Sequence, residues 1–113
     1  MTFQTCQELN GKVTVIQIPH KLDLHVSEEL KDLLNDLTKK KNYHWVIDLQ
    51  NTEYLDSNGL GTFVSQISVC RANQGDIHLA SASEYVLSLL EITNLSKLLK
   101  SFDSVESTIQ GFE

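Results

Sequence analysis

The run Tyr43-His44-Trp45-Val46-Ile47-Asp48-Leu49 constrains this fold more than any other stretch. It is nearly continuous in apolar character, of strand length, and too short for a buried helix. A strand without polar alternation needs cover on at least one face, so it belongs inside a sheet. Its flanks set the fold class. Before it, Leu30, Leu33, Leu34 and Leu37 recur at i, i+3, i+4 and i+7, the stripe of an amphipathic helix. After it, Leu60, Phe63, Val64 and Ile67, continued by Cys70 or Arg71, make a second such face. Helices and strands that alternate along a chain are joined by crossovers, which place the strands parallel.

The remaining segments extend this pattern. Lys12 to Ile18 reads as a strand, with Val13, Val15 and Ile18 to one side and Lys12, Thr14 and Gln17 to the other. Asn10-Gly11 is a hairpin turn signal, which makes Phe3 to Glu8 the other arm. Pro19 ends the strand, since proline has no N–H for a ladder. Ser27 is the expected cap of the first helix, with Glu28 and Glu29 in its first turn and Lys39-Lys40-Lys41 at its end. Gly75 is the expected left-handed stop of the second helix. Asp76 to Ala80 is a short strand. Ser83 then caps a third helix with Val86, Leu87, Leu89 and Leu90 inside, and Asn94 stops it. A short strand closes the segment from Leu95 to Phe102. Ser104 caps a last helix, with Val105, Thr108, Ile109 and Phe112 on one stripe. The expectation is one α/β domain over residues 1–113: a mixed β-sheet of four to five strands, with helices packed mainly on one face.

Composition narrows the function. The chain has 113 residues and a net charge of -6, which argues against nucleic acid or an anionic membrane as partner. Two widely spaced cysteines, Cys6 and Cys70, form neither a disulfide framework nor a zinc site. The N-terminal sequence has no signal pattern, and no apolar run reaches membrane-spanning length, so a cytoplasmic domain is expected. No Gly-x-Gly-x-x-Gly or P-loop is present, so no nucleotide cofactor is expected. His20, Asp23 and His25 share one loop, but they match no metal-ligand spacing. Asp48 ends a central strand, as a receiver-domain phosphoacceptor does, yet the acidic pair that would hold a metal ion is missing. No Gly-x-Ser-x-Gly elbow surrounds any serine. The chain is also small for an enzyme with a deep pocket.

The polar chemistry gathers in Asn51 to Phe63, NTEYLDSNGLGTF. Ser57 lies where the strand's outgoing loop turns into the second helix, beside backbone N–H groups that lack intrahelical partners. Either Ser57 or Asp56 can cap that end, and the same donors suit a phosphate. Gly59 is expected to leave the serine open to a large partner. Gly61, costly inside a helix, is expected to serve a tight contact.

The residues YLDSNGLG resemble the signature of the STAS domain, as found in bacterial anti-sigma factor antagonists. The likeness spans nearly the whole chain. It takes in KVTVIQIPHKLDLHVSEELKDLL, HWVIDLQNTEYLD and LLEITNLSKLLKSFDSVESTI. By that resemblance Ser57 matches the phosphoacceptor, Asp56 its adjacent acid, Gly59 the following glycine, and Asp23 the acid of a Leu-Asp turn near the phosphosite. Asn58 stands where a second hydroxyl residue is common. Asp23, Asp56, Ser57, Asn58 and Gly59 are then the implied partner-binding set. The resemblance implies an antagonist that binds an ATP-binding anti-sigma factor serine kinase, is released when Ser57 is phosphorylated, and is reset by a metal-dependent serine phosphatase. It also admits a non-switching scaffold subunit of a signalling or lipid-transport assembly.

Overall fold

The computed structural model describes residues 3–112; Met1, Thr2 and Glu113, the outer ends of the expected 1–113 domain, lie outside the described residues. The chain begins with a hairpin, β1 (Gln4–Glu8) and β2 (Val13–Gln17), antiparallel with Cys6 opposite Val15. Its turn needs three consecutive left-handed residues, Leu9, Asn10 and Gly11. The Asn-Gly pair supplies the two that adopt this conformation most readily. Then follow β3 (Lys21–Leu22), α1 (Leu24–Lys39), β4 (His44–Asp48), β5 (Tyr54–Leu55) and α2 (Ser57–Ala72). The chain continues through β6 (Asp76–Ala80), α3 (Glu84–Ile92), a 3-10 turn (Leu95–Lys97), β7 (Lys100–Phe102) and α4 (Val105–Gln110).

Among the described residues, five strands form the main sheet in the order β1-β2-β4-β6-β7, and only β1 runs antiparallel to its neighbour. The apolar run around Trp45 is the central strand β4, as its composition demands. α1, α2 and α3 cover one face, where Leu34, Trp45, Ile47, Phe63 and Val86 are all buried. α4 covers the other, laying Val105, Ile109 and Phe112 over Val13, Val15, Val46 and Ala80. Both faces are therefore closed around β2. Thr14 and Ile16 are as buried as Val13, and Ile18 joins the opposite core from Val13 and Val15, contrary to the alternation expected. The buried Thr14 hydroxyl is matched by the Gln7 amide at 3.1 Å.

Three local expectations are corrected. α1 begins four residues early: Asp23 caps it, and Ser27 is buried within its first turns. Glu28 and Glu29 therefore lie beyond the first turn. Gln74, not Gly75, takes the left-handed conformation after α2. Gly75 is required for another reason: a Cβ there would collide with the Tyr43 carbonyl. Leu87 faces outward, leaving Val86 and Leu90 as the buried residues of α3. Asn94 is left-handed as expected, and Ser104 caps α4 through a reciprocal pair of bonds with Ser107.

The α4 face holds a buried histidine. His78 stacks on Phe112 with ring centroids 4.0 Å apart, and its Nε2 lies 3.4 Å from Asp76 Oδ2. Burial pulls its pKa below the usual histidine range, against the opposing pull of Asp76.

Candidate functional site

A two-stranded parallel ladder, separate from the main sheet, builds the site. β3 pairs with β5, with Lys21 opposite Tyr54 and Leu22 opposite Leu55. Both leucines are buried. Each strand passes directly into an aspartate and then a helix: Leu22-Asp23 into α1, Leu55-Asp56 into α2. The ladder thereby sets two helix N-termini side by side. Asp23 Oδ1 accepts from the Val26 N–H at 3.0 Å. Asp56 Oδ1 accepts from the N–H groups of Asn58 at 3.0 Å and Gly59 at 3.2 Å. The Leu22 carbonyl accepts from the Asp56 N–H at 3.4 Å, tying the two caps together.

Asp56 carries the cap, so Ser57 does not. Ser57 is the first residue of α2, it is exposed, and its hydroxyl takes no part in closing the helix end. Asn58 is exposed beside it, and its carbonyl accepts from the Thr62 hydroxyl at 3.0 Å. Gly59 points the other way. A Cβ there would lie 2.6 Å from Leu55 Cδ1 and 2.8 Å from Leu22 Cδ2. Its missing side chain makes room for the chain's own ladder, rather than clearing a path to Ser57. Gly61 is the reverse case. It is exposed, and a Cβ would meet nothing within 4 Å, so no contact among the described residues requires it. It nonetheless costs α2 about 1 kcal/mol relative to alanine.

Ser57 and Gly61 line one groove between α1 and α2, of about 380 Å³. Leu24, Ser27, Glu28 and Lys31 come from α1, and Ser57, Asn58, Gly61, Thr62 and Ser65 from α2. Leu24 is 55% exposed. On the far side of the α2 N-terminus, the Tyr85 hydroxyl donates to the Leu55 carbonyl at 3.4 Å, and Lys21 Nζ sits 5.5 Å from the Tyr54 ring. The expected set is thus split. Asp23, Asp56, Ser57 and Asn58 come together at the two helix starts, and Gly59 supports them from beneath. The ladder and the groove escape a reading of sequence. The one available signal was the repeated Leu-Asp pair, Leu22-Asp23 and Leu55-Asp56, each ahead of a helix.

His20, in the loop, has its Nδ1 3.3 Å from Glu53, and His25, which lies in α1 rather than in the expected loop, has its Nε2 3.9 Å from Glu29, so the two histidines face carboxylates separately. Asp48 is buried and accepts from the Gln50 N–H at 3.0 Å, which orders the loop leaving β4.

The sequence profile of the STAS domain matches residues 7–108, nearly the whole chain. The chain belongs to the STAS domain family. Among its relatives, the anti-sigma-B factor antagonist of Staphylococcus aureus is 27% identical over 84 residues, 74% of this chain and 78% of the relative. A Thermotoga maritima protein assigned as an anti-sigma factor antagonist has a similar structure, with a TM-score of 0.88 at 22% identity, covering 97% of this chain and 93% of that one. The Bacillus cell fate determinant SpoIIAA, solved in its phosphorylated form, gives a TM-score of 0.77 at 17% identity over 98% of this chain and 99% of its own. At these identities the two structures show that the STAS fold is shared. Among the described residues of this STAS domain, no helix is long and apolar enough to cross a membrane.

Proposed function

We propose that this STAS domain is an anti-sigma factor antagonist switched by phosphorylation of Ser57. Unmodified, it binds an ATP-binding anti-sigma factor that is also a serine kinase, in the cytoplasm, and so frees a sigma factor. The Ser57 hydroxyl attacks the γ-phosphate of ATP held by that partner, ADP leaves, and the phosphorylated domain is released. A metal-dependent serine phosphatase hydrolyses the ester and restores binding. The observation that carries this reading is the exposed, structurally idle hydroxyl of Ser57 beside a helix end already capped by Asp56. The fold does not use that oxygen, so modifying it leaves the domain intact. The name of the Staphylococcus aureus relative and the phosphorylated state of SpoIIAA support the same role.

The physics of release is local. A phosphate adds about -1.5 to -2 charges at neutral pH. Two unit charges of like sign about 6 Å apart, at an effective dielectric near 20, repel by roughly 3 kcal/mol. A partner carboxylate facing Ser57 supplies the second charge, whereas Asp56 repels the phosphate in the free and the bound domain alike and does not count toward release. Even half that repulsion at the docking face weakens binding about tenfold. The test is titration of the ATP-binding anti-sigma factor from the same genome against the unmodified domain, Ser57→Asp and enzymatically phosphorylated protein. Affinity that falls at least about tenfold in the last two supports the reading. Equal affinity across all three refutes it.

A further inference from the structure

The two edges of the main sheet are finished differently. β7 is short, carries the exposed Lys100, and passes almost at once into α4. Short length and an outward lysine are common protections of a sheet edge against pairing with another chain. β1 lacks both. Its five residues, Gln4-Thr5-Cys6-Gln7-Glu8, include no lysine, arginine or proline, and Phe3, buried in the core, anchors its start. Among the described residues β2 is its one strand neighbour, so the backbone N–H and C=O groups along its outer side are unpaired. Helix cover also stops short of it. On the α4 side a cleft of about 270 Å³ is lined by Gln4, Cys6, Glu8 and Val105, and on the α1 side one of about 380 Å³ is lined by Thr5, Gln7, Leu33 and Leu37.

The order of residues along this edge is self-complementary. Antiparallel pairing about a two-fold axis at Cys6 sets Cys6 opposite Cys6 of a second copy, Thr5 opposite Gln7, and Gln4 opposite Glu8. Every residue of the strand is then paired. Any shift shortens the ladder, and a shift centred on Glu8 opposes two carboxylates. In the full register the Gln4 amide donates to the Glu8 carboxylate of the second copy, twice by symmetry. No like charges meet, although each chain carries a net charge of -6. The faces agree as well. Cys6 lies opposite Val15, which places Gln4, Cys6 and Glu8 on the α4 face, and the two-fold axis keeps them on one face of the joined sheet. We propose that β1 is a homodimerisation edge, which pairs antiparallel with β1 of a second copy in the register centred on Cys6 and joins two five-stranded sheets into one. Strands this short bury little surface, so the dimer is weak and forms reversibly with concentration. Its formation does not depend on Ser57.

Sedimentation equilibrium of the full chain under reducing conditions, from about 10 μM to 1 mM, gives the dimer dissociation constant of the unaltered protein, Gln4→Lys and Gln4→Glu. Gln4 is exposed, so all three fold with nearly the same melting temperature. The unaltered chain moves from monomer toward dimer across this range. Gln4→Lys tightens the dimer several-fold by facing Glu8 with a cation, and Gln4→Glu weakens it several-fold by facing Glu8 with a second carboxylate. A monomer at every concentration overturns the proposal, and so does a dimer indifferent to both substitutions. Trapping reads the register separately. Residues directly opposite in an antiparallel pair have Cα atoms about 4.5–5.5 Å apart, within reach of a disulfide. Diamide takes one hydrogen from each of two Cys6 thiols and becomes the hydrazine as the two sulfurs bond. Cys70 is buried, with its pKa pushed up to about 12, and stays out of the reaction. A dimer linked Cys6 to Cys6, formed faster in Gln4→Lys and slower in Gln4→Glu, supports the register. A dimer that sediments as such but never yields this link overturns it.

Discussion

The N-termini of α1 and α2 are built alike and finished differently. Each follows one strand of the same two-stranded ladder, each is entered through Leu-Asp, and each aspartate closes its helix with one carboxylate oxygen. After the cap they diverge. α1 presents Leu24, an exposed apolar residue, and α2 presents Ser57, an exposed hydroxyl. Because the aspartates do the capping, the next position is free of structural duty in both. One N-terminus exposes an apolar side chain and the other a hydroxyl that takes no part in the cap. The pairing teaches that a helix start can place its stabilising cap and an exposed, structurally unused side chain on separate, adjacent residues.

The harshest way to break the comparison is to remove what holds the two starts together. Gly59→Val drives a branched side chain into Leu22 and Leu55, and overpacking of this kind costs about 1–3 kcal/mol or more. Urea unfolding measures it, and binding falls with the lost ladder. Next come the caps. Asp56→Ala removes the acceptor of two N–H groups and costs about 1–2 kcal/mol, whereas Asp23→Ala removes one such side-chain bond and costs about 1 kcal/mol. Equal losses in the two would show that the second bond to Asp56 contributes nothing.

Ser57→Ala should leave stability within about 0.5 kcal/mol of the unaltered domain, as for an exposed residue outside any cap. Its functional effect is to keep binding when kinase and ATP are present, read by mass spectrometry and affinity together. A large loss of stability in Ser57→Ala would return the hydroxyl to a capping role. The smallest expected effect is a null result. Leu24→Ser in a Ser57→Ala background places a hydroxyl at the matching position of α1, and no phosphate should appear on it. Phosphorylation there would mean that the kinase recognises the helix start itself rather than the surroundings of Ser57.

The long apolar patterns carried most of the architecture. β4, β6 and the buried stripe of α2 were legible because their residues repeat with the period of their own element. Short features were not. β3 and β5 have two residues each, too few for any period, and they become strands only by pairing across a gap of some thirty residues. Ser27, followed by two glutamates, carried the local marks of a helix start, but the ladder delivers the chain to Asp23 and the helix begins there. Gly59 and Gly61 look equivalent in Asn-Gly-Leu-Gly. They differ because consecutive odd positions of a helix face different surroundings: Gly59 turns toward the ladder and Gly61 toward the groove. The candidate phosphoacceptor was legible. The groove beside it was not, since its two walls meet only in the folded chain.

The central claim is that Ser57 decides whether this surface binds. The most direct measurement is the dissociation constant of the ATP-binding anti-sigma factor for the unmodified domain and for the same domain stoichiometrically phosphorylated on Ser57, with both shown by circular dichroism to be equally folded. The account predicts that phosphorylation raises the constant by about tenfold or more with no change in fold. The same dissociation constant for both forms would contradict it.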